Sequence, residues 1–412
     1  MPDAGATEKP FDAAAFWTAL SSTLATQSLT SMAALTAAIL APVAAPALGV
    51  NRDDMGLYTA AIYLFSILSA VTGGPLVARY GPIRVCQVCL ALCAGGVACL
   101  ASGSVWLLLP AAAIIGIGYG PVTPSSSQLL ARVTPTRLAN LVFSVKQSGV
   151  PLGAVLAGVA LPWAEARWGW QGAALVSTAL CVAVALAIQP TRRGLDIESR
   201  APRGGRLFPS FGAVFAPVGE CWRIPDIRRL AIVSMAYSTA QVCFLYFAPL
   251  HLTGRLGFDL ASAGALIAVA NVAGGFGRVG WGAVADATRR PFAILIFLAL
   301  TMAAGTATLA LADASWPRWS LFAVGSLIGG TAIGWNGIFF AQVARLSPPG
   351  RAGAVTGGVS FFTFGGPLLA PLLFSLLLRL TQDYTVGFLL VAAATLATIP
   401  ALVPLMRDRG VS

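Results

Sequence analysis

Two positive charges stand in stretches that otherwise suit hydrocarbon. Lys146 lies in FSVKQSGVPLG (143–153) and Arg278 in GFGRVGWGAVAD (275–286). Of the 26 basic residues only Lys9 and Lys146 are lysines, so a lysine here is a choice against the habit of the chain. A charge at the bilayer centre costs at least about 2.5–3.5 kcal/mol and usually faces a cavity. The two types divide the chemistry of anion binding. Arg is a planar fork that grips a carboxylate through two hydrogen bonds, whereas Lys is a compact charge. A desolvated ammonium sheds its proton more readily than a solvated one, and a bound anion restores it, which offers a route for proton coupling. All 15 acids fall in loops, tails or span ends, so no carboxylate of the chain stands at this depth to neutralise either cation. An external anion between them is the expected partner. Gln27, Tyr119, Gln241, Asn271, Trp335, Asn336 and Phe362 are mid-span polar or aromatic groups expected to complete such a pocket. Tyr119 and Trp335 are expected as its walls, with Asn271 and Asn336 orienting an acceptor. Each also has a structural reading. Lys146 can snorkel to the headgroups, Arg278 can bond span-end carbonyls or Asp286, and the others can simply pack between helices.

Other signals are weaker. CQVC (86–89) has C-x-x-C spacing, but it has no second pair and His251 is the single histidine. Small apolar packing accounts better for these cysteines than a metal does. GFGRVG (275–280) formally matches a dinucleotide fingerprint, yet it lacks the preceding strand that such a site needs. There is no Walker A loop and no Ser/His/Asp set. No enzyme activity, cofactor or metal is expected.

The elements that must position the two cations follow from composition. The chain has 412 residues, 57% hydrophobic and 10% charged, against about 25% charged in a soluble domain. Long apolar runs without strict alternation predict helices that cross a bilayer. Twelve spans are expected, near 16–46, 53–77, 84–102, 105–131, 138–161, 168–189, 229–252, 260–284, 291–312, 317–343, 352–379 and 384–405. On that map Arg52, Arg167, Arg255, Arg318 and Arg379 fall on one side, and nearly all other arginines fall on the opposite side. The positive-inside rule then puts both termini in the cytoplasm of a multi-pass inner-membrane protein. It also accounts for the net charge of +11 without nucleic acid. The N-terminus, with Asp3, Glu8 and Asp12, reads as a cytoplasmic tail rather than a cleaved signal. A Pro-, Gly- and Arg-rich segment, 190–228, reads as a cytoplasmic linker between two bundles, 1–189 and 229–412. Lys146 is nine residues from Arg137 and Arg278 is eight from Asp286, which places both roughly 12–13 Å deep, one in each half.

The halves repeat. GVNRDDMGLYTA (49–60) matches GFDLASAGALIA (257–268), and GPLVARYGP (74–82) falls on GAVADATRR (282–290). ARVTPTRLANLVFSVKQSGVPLG (131–153) matches ARLSPPGRAGAVTGGVSFFTFGGP (344–367). In these segments the chain resembles the major facilitator superfamily, whose loop between spans 2 and 3 reads G-x-x-x-D-R-x-G-R-R. Gly74, Arg79, Gly81 and Arg84 keep that pattern, while Ala78 stands where Asp is usual. Gly282, Asp286, Arg289 and Arg290 keep it in the second half. The resemblance implies an all-α fold of two pseudo-symmetric six-helix bundles and alternating access, with Arg79, Arg84, Asp286, Arg289 and Arg290 gating one face. Because of Ala78, the first-half latch is expected to be weaker or differently paired. KQSGVPLG is similar to the fifth span of cyanate- and nitroimidazole-type carriers, and GRVGWGAVAD to the eighth span of oxalate:formate and monocarboxylate carriers. In the latter, an arginine at the position of Arg278 holds the carboxylate; Lys146 has no counterpart there.

The expected function is therefore secondary transport of a small organic anion, a carboxylate, by a monomer in the lipid bilayer. Protons or a counter-anion would be the coupling ion. An exporter of a hydrophobic or neutral compound with the same fold, and a non-transporting membrane sensor, remain as alternatives.

Overall fold

The computed structural model of the chain describes residues 12–50, 54–196 and 211–407. Lys9, Arg52, Arg200, Arg203, Arg206 and Arg409 lie outside the described residues. Ten helices are long and apolar enough to cross a membrane. A pair bent by 55°, Leu57–Ala70 and Gly73–Tyr80, makes an eleventh. The stretch Thr136–Ala187 holds two of the expected spans, because Gly169 breaks it with φ 67° and ψ 177°. Only glycine enters that region without strain. The described residues thus hold twelve spans.

The spans form where the sequence stops and satisfies them. Asp12, Asp259 and Asp383 each cap a helix by accepting a backbone N–H, from Ala15, Ser262 and Thr385 respectively. The first span, Ala13–Leu48, is rich in hydroxyls. Thr23, Thr26, Thr30 and Thr36 each donate to the carbonyl one turn back, so these polar groups are paired inside the helix itself. Gly149 and Gly153 let the fifth span close on the first. A Cβ at Gly153 would lie 2.2 Å from the Ser28 carbonyl oxygen.

The described parts of the linker segment, 190–196 and 211–228, are more structured than its composition suggests. Asp196 reaches back to accept from the backbone N–H groups of Ile83 and Arg84, starting the third span, and pairs with Arg192 at 3.2 Å. A helix, Phe211–Arg223, packs on the eleventh span. Cys221 Sγ donates to the Val355 carbonyl, Glu220 pairs with Arg351 at 2.7 Å, and Trp222 stacks on Phe362. The seventh span then begins at Pro225, earlier than the first apolar run implies, because Ile224 is extended and proline suits the first helical turn.

The bundles meet at the arginine-rich face, where Arg79, Arg132, Arg289 and Arg345 lie. The tightest contacts are between small residues and backbone. A Cβ at Gly74 would lie 2.3 Å from the Cα of Ala354. One at Gly337 would lie 2.1 Å from Ser144 Oγ and 2.3 Å from its Cα. The seam is therefore closed on this face. Gly337→Ala cannot be relieved by a side-chain rotation of Ser144, because the backbone also blocks it. Overpacking of this kind costs about 1–3 kcal/mol, all of it charged to the closed arrangement. A population opened at this face is expected to rise about tenfold, read as a longer distance between spin labels at the exposed Thr136 and Thr288.

Candidate binding site between the bundles

Lys146 and Arg278 are both buried, each about 2% exposed, and they meet at one residue. Lys146 Nζ donates to Gln147 Oε1 at 2.9 Å, to Gln27 Oε1 at 2.8 Å and to Thr123 Oγ1 at 3.5 Å. Arg278 donates through NH1 to the Gln147 carbonyl at 2.5 Å and through Nε to the Ile333 carbonyl at 2.8 Å. The cations therefore lie at one level, one from each bundle. Lys146 does not snorkel, and Arg278 bonds carbonyls in mid-span rather than at a span end. All these acceptors are neutral. Among the described residues, no carboxylate forms an ion pair with either cation.

The carbonyls are available because two helices are broken at this depth. The fifth span is helical to Gln147 and again from Gly149. Pro151 stands four residues after Gln147 and has no N–H, so the Gln147 carbonyl has no ladder partner. In the tenth span, residues Gly329–Ile333 are π-helical and a turn follows before Asn336. The Ile333 carbonyl faces Arg278 there, and Asn336 Nδ2 donates to it at 3.4 Å. Irregular backbone at membrane depth is tolerated where protein surrounds it or a cavity needs it, and π-turns recur at functional sites. A Cβ at Gly277 would lie 2.2 Å from the Gly330 carbonyl, so Arg278 is held on a helix pressed hard against this irregular stretch.

Of the expected site residues, the structure brings Gln27, Lys146, Arg278 and Asn336 together. Tyr119 stands beside Ser31 and within electrostatic reach of Arg278, and its ring lies 5.9 Å from Phe364 across the seam. Trp335 is fully buried between Tyr237 and Phe339, with its indole N–H unpaired among the described residues. Asn271 is only partly buried and donates to the Ile267 carbonyl one turn back. Gln241 forms no hydrogen bond with the group, and Phe362 stacks on the linker helix instead. Gln147, Thr123, Tyr63 and Phe364 were not among the expected residues. Proline four residues after a polar residue was the one signal in the sequence for Gln147. Tyr63 lies 6.3 Å from Phe364, so two first-half tyrosines and one second-half phenylalanine form a ring-lined contact.

The residues expected to gate the arginine-rich face fall into distinct settings. Asp286 crosses the seam and accepts from Asn140 N–H at 3.2 Å, Asn140 Nδ2 at 2.7 Å and Leu141 N–H at 2.8 Å. It thus caps the start of the fifth span with a full negative charge at a helix N-terminus. Gln342 Nε2 ties the same Asn140 at 2.8 Å. Ala78 leaves the symmetric place without a carboxylate. There Gln128 Oε1 accepts from Gly353 N–H at 2.7 Å while its Nε2 donates to the Gly350 carbonyl at 2.8 Å. A neutral amide from the fourth span thus does at the eleventh what Asp286 does at the fifth. Arg79 lies over the Tyr80 ring and Arg84 NH1 donates to Gln87. Arg289 ends the eighth span at φ 55°, and with Arg290 and Arg345 it lines a hollow of about 410 Å³ outside the seam.

Known proteins place this arrangement. The chain is 29% identical over 214 residues to the 3-(3-hydroxyphenyl)propionate transporter of Escherichia coli, covering 51% of this chain and 48% of that one. It is 28% identical over 133 residues to the 4-hydroxybenzoate transporter PcaK of Acinetobacter baylyi, covering 32% and 29%. It is 26% identical over 137 residues to the gallate transporter of Pseudomonas putida, covering 33% and 30%. The matches thus span less than half the length of these relatives. In fold it is similar to the human organic anion transporter MFSD10, with TM-score 0.76 at 16% identity, over 96% of this chain and 100% of that one. It is also similar to the E. coli fucose:proton symporter FucP, with TM-score 0.74 at 15% identity, over 95% and 98%. The family model described as Major Facilitator Superfamily matches residues 22–371, and with twelve spans built as two bundles around a polar seam, this chain belongs to that superfamily of transporters.

Proposed function

We propose that this transporter carries a small aromatic carboxylate, bound between Lys146 and Arg278 and turned over by alternating access. One observation carries the reading. Two buried cations from opposite bundles share Gln147 at one depth, and among the described residues their acceptors are all neutral. A buried charge without an opposite charge is costly to keep, and an anionic cargo repays it. Tyr63, Tyr119 and Phe364 beside this site suit a ring. The three relatives, whose names specify hydroxylated aromatic acids, support the same class. The arginine-rich face is the cytoplasmic one by the positive-inside rule, in the plasma membrane, with both termini on that side. Protons or a counter-anion couple the movement, and the unit of transport is the monomer.

Purified protein in proteoliposomes tests this. Uptake above that of protein-free vesicles is expected for at least one of benzoate, 4-hydroxybenzoate, 3-(3-hydroxyphenyl)propionate and gallate, and not for benzyl alcohol. Lys146→Gln is expected to weaken binding about tenfold or more, the worth of one hydrogen bond to a charged group, read as a lost ligand-induced thermal shift. Equal transport of acid and alcohol would reject the reading.

A further inference from the structure

We infer that this carrier reorients without cargo and so performs net transport, because Pro151 frees the Gln147 carbonyl to stand in at Arg278 for a cargo oxygen. The inference rests on the proposed anion site and concerns how that site behaves between cargoes. A carrier must pass through a state in which both bundles close around the site. If its cations had no acceptors in the protein, closing the empty site would bury bare charge, which is strongly unfavourable. Such a carrier would be confined to exchange, because only a loaded site could close.

Here the acceptors are built in, and they come from both bundles. The guanidinium of the second bundle reaches the Gln147 carbonyl of the first. It also holds the Ile333 carbonyl of its own bundle. The ammonium has the Gln27 and Gln147 side-chain oxygens, with Thr123 beyond them. The Gln147 carbonyl is left without a ladder partner because Pro151 has no N–H, and the Ile333 carbonyl lies at the end of the π-helical stretch in the other bundle. Their strength is in the right order. A neutral carbonyl holds a guanidinium less tightly than a carboxylate does. Cargo therefore displaces the Gln147 carbonyl on binding, and the carbonyl returns when cargo leaves. Gln147 and Pro151 act as positioning residues, through Arg278.

Pro151→Ala separates this role from a merely structural one. Alanine brings back an N–H that claims the Gln147 carbonyl for the helix. The loaded site keeps its cations, but the empty site loses its stand-in. The experiment uses proteoliposomes with membrane potential clamped by potassium and valinomycin. The probe is whichever of the four radiolabelled aromatic acids the wild type takes up fastest. Uptake into empty vesicles reports net transport, and uptake into vesicles preloaded with the same acid reports exchange. The wild type is expected to fill empty vesicles at a rate comparable to exchange. In Pro151→Ala, net uptake is expected to fall about tenfold relative to exchange, the factor that corresponds to one hydrogen bond to a charged group. Retained exchange shows that the variant is folded. A wild type that takes up label only when preloaded would overturn the inference, whatever the variant does. Net uptake and exchange reduced equally, or unchanged, in Pro151→Ala would overturn it too. In both cases carboxylate selectivity would still stand. If none of the acids is transported, the proposed site falls first and takes the inference with it.

Discussion

Arg278→Gln is expected to reduce carboxylate uptake at least a hundredfold while leaving the protein as stable as before, or slightly more so. The two effects have opposite signs for a physical reason. Hydrogen bonds to a charged group contribute about 1.5–3 kcal/mol each, and a fork grips a carboxylate with two of them. Their loss amounts to about 3–6 kcal/mol of cargo binding, or more than two orders of magnitude. Stability follows a different account. Arg278 is buried among neutral acceptors, so its charge is desolvated without an opposite charge nearby. Removing an uncompensated buried charge recovers its desolvation cost, which offsets the hydrogen bonds left unmade at the Gln147 and Ile333 carbonyls. A guanidinium kept for the fold would show the reverse: loss of melting temperature with uptake largely intact. Arg278→Lys sharpens the comparison, since it keeps the charge and removes the fork. It is expected to behave much more like Gln than like Arg. Initial rates in proteoliposomes and melting temperature on the same preparations decide it. Uptake within threefold of wild type in both variants would remove Arg278 from the site.

Asp286→Asn is expected to open the arginine-rich face. The carboxylate accepts three N–H groups across the seam, all at the start of the fifth span and two of them from its backbone. An asparagine there offers one oxygen and turns an NH₂ toward a backbone donor, and it gives up the charge that suits a helix N-terminus. A loss of about 3 kcal/mol from the closed arrangement shifts the population roughly a hundredfold. The spin-label pair at Thr136 and Thr288 is expected to show a new, longer distance as the major component. The substitution leaves Lys146 and Arg278 untouched, so ligand-induced stabilisation persists even as turnover slows. An unchanged distance distribution would mean that the glycine contacts of Ser144 hold the seam without the latch.

The symmetry between the two latches explains why only one of them is acidic. The eleventh span receives a neutral cap from Gln128, in place of the carboxylate that Ala78 does not provide. Amide-to-backbone bonds are worth about half of their charged equivalents. By that measure the Gln128 contact is the weaker of the two across the seam, and it is made by a residue from the fourth span.

Much of this protein is dictated locally. Apolar runs of bilayer length, helix-capping aspartates and the one-sided distribution of arginine are properties of short segments, so spans and bundle repeat can be read along the chain. Depth is also local, because a helix rises by a fixed amount per residue. That is why Lys146 and Arg278, in separate halves, can be placed at one level before any contact is known. What the chain alone does not reveal is what those side chains touch. Gln147 lies next to Lys146 in sequence, yet its importance comes from Arg278, 131 residues away. The carbonyls that hold Arg278 are backbone atoms, identical at every position until a proline or a π-turn removes their usual partner. Tyr63 and Phe364 look like ordinary span aromatics until the two bundles bring them together. Asn271 has the right type and depth, but it donates to the Ile267 carbonyl of its own helix. Segment identity and height come from covalent order and helix geometry; partnership depends on how two bundles rotate and press together, and only the packed structure decides that.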